Sequence, residues 1–467
     1  MSFDRILRSS AMIGGAQVVV LAAGFIRAKV IALMLGAAGV GLIGVLNAFT
    51  GNFASFAGWG LGISGVRLIA GSSLQERATK VAAVRRMGWA LSLFGAVLAT
   101  IAFWPVSIAT FESNQYALEM AIVALAIPCL IASASWTSIL QASGQISSLA
   151  KVQILGALGG LSLGLPLIYF WGSIGIALSI LLAAIVPAAA LWLAAAKCEP
   201  TDDAPIRKED LRHLLKIGGA LMVVGWLGQL SAYVVRIAIV RQEGLEASGY
   251  FQAAYAISGS MPGFVFAAMG ADFFPRVAAA KDELAAKEIT EGQIKAGLLL
   301  GVPMIVILLT AGETCVRLLY ADGFTAATSL LGWMTWGVFV RLFSWPLAFW
   351  LLARGSSKAV MIVEGAAALL TTLLSVVLLR THGIEGCVVG LLLGQIGYFV
   401  LLLLVARRRS GFWIDVESAV WIVFSTIACL VAQGLGSLLG GGVRGILPAA
   451  LAVAVAVVIY MRTKPKS

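Results

Sequence analysis

Long stretches of this chain carry almost no charge. Between Ser10 and Leu35 only Arg27 and Lys29 interrupt an otherwise uncharged run, and apolar stretches of similar kind recur to the other end. A run of about 17 to 25 apolar residues is the length a helix needs to cross a bilayer. The pattern predicts fourteen spans, near 10–35, 39–70, 87–108, 117–140, 152–170, 174–196, 214–240, 248–275, 296–312, 327–352, 359–379, 384–406, 417–439 and 444–461. Helix is the only open-ended element that can lie in lipid, because lipid offers backbone amides no partner outside the segment. The expected fold is therefore all-α and polytopic. The first span is too long for a secretory signal and carries Arg27 and Lys29 where such a signal is uncharged, so it reads as retained.

Composition agrees. Of 467 residues 60% are hydrophobic and 12% charged, with a mean hydropathy of +0.97. Little is left over for a soluble domain with its own core. The net charge of +11 would suit nucleic acid, but its distribution points to a membrane instead. With the N-terminus inside, 24 of the 33 lysines and arginines fall in cytoplasmic segments, among them Arg77, Lys80, Arg85, Arg86 and the run Arg407, Arg408, Arg409. The outer loops hold only Arg241, Arg317, Arg380 and Arg444. This is the positive-inside asymmetry, and it predicts both termini in the cytoplasm.

Five cations remain inside spans: Arg27, Lys29, Arg67, Arg236 and Arg341. A charge at mid-bilayer costs roughly 2.5–3.5 kcal/mol on insertion scales, so each needs water, a counter-charge or a polar ligand. Arg67 is near an inner end and can snorkel to the headgroups. Arg27, Arg236 and Arg341 lie deeper. Acids are scarce at that depth: Glu119, Glu364, Glu385 and Glu417 sit close to span ends, and Asp272 is placed to pair with Arg276 at i,i+4. The excess of deep positive charge predicts a hydrated cationic cavity.

The chain also repeats itself. Positions 140–183 align with 351–394 at a constant offset of 211, with Gly144, Gly172 and Gly175 matching Gly355, Gly383 and Gly386. Upstream, "GLIGVLNAFTG" from Gly41 matches "GYFQAAYAISG" from Gly249 at an offset of 208. Both halves start in the cytoplasm with six spans each, so the repeats are parallel. The expected organisation is a six-helix bundle over 1–200, a cytoplasmic linker at 201–213, a second bundle over 214–410 and two extra helices in 411–467, with the central cationic cavity between the bundles.

Other chemistries find little support. Gly60, Gly62 and Gly65 spell GxGxxG, but no strand precedes them and small residues in a span serve helix packing. No GxxxxGK[ST] occurs. The five cysteines show no CxxC spacing and His213 and His382 stand alone, so neither a metal site nor a cofactor is expected.

"LGAAGVGLIGVLNAFTG" after the first span, "SGYFQAAYAISG" opening the eighth, "FFPR" at Phe273 to Arg276 and the glycine-marked turns before spans 6 and 12 carry a resemblance. The chain resembles the polysaccharide (O-antigen) flippases of the multidrug/oligosaccharidyl-lipid/polysaccharide exporter superfamily. The resemblance implies a transporter, not an enzyme, of the bacterial plasma (inner) membrane that moves an undecaprenyl-pyrophosphate-linked oligosaccharide between leaflets. It implies cavity arginines on the first, second and eighth helices, where Arg27, Arg67 and Arg276 stand. Lys29, Arg236 and Arg341 join the candidate substrate-binding set from depth alone. Membrane lipids, and possible association with a glycan polymerase, complete the expected partners. A drug/cation antiporter of the same superfamily is the nearest alternative, although ion coupling there calls for embedded carboxylates. A membrane glycan polymerase or ligase is the other, although its acid/base groups would need outer loops longer than "WPVSIATFESNQ" and "AGETCVRLLYADGFT".

Overall fold

A computed structural model describes residues 3–198 and 207–438. Every regular element among them is helical: α1 Phe3–Ala57, α2 Leu61–Ala70, α3 Leu74–Phe111, α4 Ala117–Ala124, α5 Ala126–Ala142, α6 Ile146–Cys198, α7 Lys208–Ala278, α8 Glu283–Leu319, α9 Ala326–Ala353, α10 Ser357–Ser410 and α11 Val416–Leu438, with a 3-10 turn at Asp322–Phe324. Eight of these helical stretches are long and apolar enough to cross a membrane. The protein is a multi-pass membrane protein with an all-helical fold.

Several helices are two arms joined at a glycine. α1 breaks at Gly36 (φ 65°, ψ −160°), α6 at Gly172 (54°, −119°), α7 at Gly244 (86°, 179°) and α10 at Gly383 (65°, −156°). These breaks fall between the sequence-expected spans 1 and 2, 5 and 6, 7 and 8, and 11 and 12. Backbone at positive φ with extended ψ is open in practice to glycine alone, which explains the residue type at each break. Two expected spans are interrupted: 39–70 turns at Trp59 and Gly60 before α2, and 117–140 divides at Leu125 between α4 and α5. The expected span 444–461 lies outside the described residues. Of the expected linker, residues 208–213 already belong to α7.

The register of the repeat has a physical basis. Gly144 and Gly355 both hold positive φ, at 68° and 77°, where α5 and α9 give way to the next helix. At the breaks themselves, a Cβ on Gly175 would overlap the Leu167 carbonyl, and a Cβ on Gly386 would overlap that of Leu378. Both pairs are again 211 apart. Each arm pair therefore folds back through one glycine that supplies the dihedral and a second that lets the backbones close.

The chain divides into two compact units, Met1–Gly249 and Tyr250–Ser467. In the first, α1 packs most extensively on α6, and α5 lies against α2, α3 and α6. Polar ties hold the first arm of α7 within this unit: Trp59 Nε1 donates to Leu215 O at 3.0 Å and Trp226 Nε1 donates to Asn52 Oδ1 at 3.1 Å. Arg207 reaches Glu76 at 3.3 Å, and Arg241 lies 3.6 Å from Glu112. Gly65 meets Ser138 closely enough that a Cβ would lie 2.6 Å from its hydroxyl, so this glycine of the GxGxxG match serves helix packing.

In the second unit α8 packs on α9 and α11, and α9 on α10. Phe339, Leu342 and Phe343 of α9 form one cluster with Leu298, Val302 and Ile305 of α8, while Trp350 and Leu351 form another with Leu402 and Phe412. Lys295 anchors the start of α11 through Glu417 at 2.7 Å. Near the other end of α11 Trp336 Nε1 donates to Gln433 Oε1 at 2.9 Å.

Candidate functional site

The first unit contains a cavity of about 340 Å³ between α1 and the two arms of α6. That volume lies within the range of small-molecule sites, about 300–1,000 Å³. Arg27 lines it, together with Gln17 and Gly24 from the same helix. Residues 17, 20, 24 and 27 are separated by three or four positions, so they fall on one face of α1. The opposing wall is α6, with Gln153, Gly156 and Gly160 on its first arm and Ala183 and Pro187 on its second. The glycines let the two arms of this wall close on each other: Gly156 sits so near Pro187 that a Cβ would come within 2.8 Å of its ring.

The cavity's charge is one-sided. Its lining holds one guanidinium and two amides and no carboxylate. Among the described residues no acid lies within ion-pair distance of Arg27, which is half-buried. A charge-fixed cation with five donors, set in apolar walls without a counter-ion, is suited to an anion with several acceptor oxygens. Reduced dielectric strengthens that attraction relative to bulk water.

The other sequence-expected residues fall elsewhere. Lys29, two positions on from Arg27, is half-buried and outside the cavity lining. Arg67 is exposed in the last turn of α2. Arg236 is buried in the first arm of α7, one turn from Tyr233, whose hydroxyl lies 3.5 Å from Thr110 Oγ1. In the second unit Arg276 is exposed in the last turn of α7, and the exposed Arg341 sets its guanidinium 5.6 Å from the Phe266 ring centroid. Thus the cavity takes Arg27 alone from the candidate set. Gln17 and Gln153 were missed in the sequence. Their signal was an amide inside an otherwise apolar span, at a spacing from Arg27 or from the small residues of α6 that keeps one face.

Among the described residues no group of three or more His, Cys, Asp or Glu side chains is placed to hold a metal ion. The second unit has a polar cluster of a different kind: Tyr398 donates to Glu364 Oε1 at 2.6 Å, and Gln395 Nε2 donates to Ser344 Oγ at 3.3 Å.

The fold is shared with known transport proteins. It is similar to the lipid II flippase MurJ in an inward closed conformation, with a TM-score of 0.78 at 15% identity over 98% of this chain and 99% of that one. It is similar to an inward-facing multidrug resistance MATE family transporter of the MOP superfamily, at TM-score 0.68 and 16% identity over 84% and 94% of the two chains. A MOP superfamily transporter from Pyrococcus furiosus, described as having a binding pocket of reverse polarity that suggests a different function, matches at TM-score 0.59 and 16% identity over 86% and 95%. No curated protein matches by sequence. A family model described as polysaccharide biosynthesis protein matches residues 6–281, more than half of the chain. The protein, a multi-pass membrane chain with a transporter fold, therefore belongs to the polysaccharide biosynthesis protein family.

Proposed function

We propose that this protein flips an undecaprenyl-pyrophosphate-linked oligosaccharide, an O-antigen or other surface polysaccharide unit, from the cytoplasmic to the periplasmic leaflet of the bacterial plasma membrane. The observation that carries this reading is the unpaired Arg27 in a cavity without carboxylates. Family membership supports a role in polysaccharide assembly, and the flippase-like fold supports movement of a lipid-linked substrate. The pyrophosphate would engage Arg27 while the sugars cross the hydrated interior and most of the lipid tail stays in the bilayer. Alternating exposure would come from the two repeats moving against each other, as in other parallel-repeat transporters. Lys29, Arg67, Arg236, Arg276 and Arg341 remain proposed contributors along the path, and association with a glycan polymerase remains a proposal as well.

The cavity's polarity separates this reading from a drug/cation antiporter, whose coupling and substrate sites call for acids where this one presents a guanidinium. The test is a deletion strain and proteoliposomes together. Loss of the gene should cause one undecaprenyl-pyrophosphate-linked intermediate to accumulate on the cytoplasmic side, and the purified protein should move that lipid between leaflets. Movement of cationic drugs with no effect on the lipid-linked glycan would sink the proposal.

A further inference from the structure

The walls of the Arg27 cavity are aliphatic, and this says which part of the substrate they receive. Val20 and Ala23 of α1 face Leu161, Ala183 and Pro187 of α6 across it. No aromatic ring and no carboxylate lines the space. A sugar ring carries hydroxyls that each lose water and need a polar partner in return, whereas here the polar side-chain atoms belong to Arg27 and the amides of Gln17 and Gln153 alone. Gln17 and Arg27 are ten residues apart on one helix face, about 15 Å along the axis. The stretch between them is formed by Val20, Ala23 and Gly24, an apolar path leading to a single cation.

The geometry points to a seat for a prenyl phosphate: the phosphate on Arg27 and the adjoining isoprene units along the aliphatic walls, with the glycan excluded. The inference rests on the flippase reading and sharpens it. Recognition in this unit is of the lipid carrier common to many glycans, not of the sugar. The duplicated half carries different side chains at the matching positions of α10. There Gln153 and Pro187 correspond to Glu364 and Tyr398, which are hydrogen-bonded to each other at 2.6 Å. Gly160 corresponds to Thr371 and Ala183 to Gly394, so the smaller and larger residues exchange sides between the halves. The matched positions differ in chemistry: an amide and a proline ring in α6, a hydrogen-bonded carboxyl and phenol in α10.

Gly24 offers a way to plug the seat without disturbing the fold, since a Cβ there meets nothing within 4 Å. The full-length protein in nanodiscs is incubated with undecaprenyl phosphate carrying no sugar, and retained lipid is measured by native mass spectrometry. Wild type should retain it, while Gly24→Leu and Arg27→Ala should each weaken retention at least tenfold with unchanged melting temperature. Gly24→Met plugs the same space with a more flexible chain, should Leu impair folding. Inorganic pyrophosphate and phosphatidylglycerol should compete poorly. Equal competition by pyrophosphate would make this a headgroup site only, and equal competition by phosphatidylglycerol a general anionic-lipid site; either overturns the inference, as does wild-type retention by both plugged variants. Flipping of the lipid-linked glycan is followed in parallel. Flipping without retention of undecaprenyl phosphate defeats the lipid-seat inference and spares the function, whereas retention without flipping does the reverse.

Discussion

Arg27 illustrates what a single residue can disclose. Its depth in an apolar run marks it as costly, and the structure finds it on the wall of a cavity with no acid beside it. Arg27→Ala should therefore reduce transport of the lipid-linked glycan at least tenfold while membrane levels stay normal; loss of the folded protein instead would show a structural role. Arg27→Lys keeps the charge but loses the planar fork, and transport should fall between wild type and the alanine variant. Lys29 was equally visible in the sequence, yet two residues along a helix turn a side chain about 200° away, so it misses the cavity. Gln17 and Gln153 were hidden because a neutral amide in a span carries no charge signal. Only the packing of α1 on α6 brings them to the same space.

At the scale of the element, glycines decide. Gly36, Gly244 and Gly383 hold dihedrals that cost other residues about 1–3 kcal/mol, so Gly383→Ala should lower the melting temperature of the detergent-solubilised protein. A second pair acts through contact. A Cβ on Gly41 would overlap the Leu245 carbonyl, and a Cβ on Gly249 would overlap the carbonyl of Ala37. Ala37 and Leu245 are 208 apart, as are Gly41 and Gly249, so within the first unit the backbones just after the Gly36 and Gly244 breaks approach each other reciprocally. Because the obstacle is backbone, it cannot swing aside as a side chain would. Gly41→Val should abolish accumulation of folded protein, measured by fluorescence-detected size exclusion. By contrast Gly24→Ala, in open space, should be neutral or stabilise by up to about 1 kcal/mol. The duplication at offsets 208 and 211 was legible in the sequence; why those glycines stay in register became clear only from the backbone angles and the close approach of residues 37–41 to 245–249.

At the scale of the whole molecule the argument is electrostatic. The lysine and arginine asymmetry predicts both termini inside, and cysteine labelling tests it. In a variant without its native cysteines, Ser113→Cys should react with a membrane-impermeant thiol reagent added outside, whereas Ser73→Cys should react only after permeabilisation; the opposite pattern would invert the topology. The same field bears on transport. An interior-negative potential favours outward movement of an anion by about 2.3 kcal/mol per charge per 100 mV. Collapsing the potential across proteoliposomes should slow flipping of the pyrophosphate-linked glycan, and an unchanged rate would exclude this driving force.

What the sequence determined by itself was everything that follows from solvent preference and repetition. Apolar length makes helices long enough to cross a bilayer, charge asymmetry predicts their orientation, and matched glycines announce the duplication, because each depends only on the order of residues along the chain. Tertiary structure decided which side chains share a space. The interruptions at Trp59 and Leu125 and the placing of Arg27 with Gln17 and Gln153 around one cavity in the first unit all depend on how helices rotate and close upon one another. Those rotations are set by contacts between residues far apart in sequence, such as Gly156 with Pro187, where the absence of one side chain makes room for another.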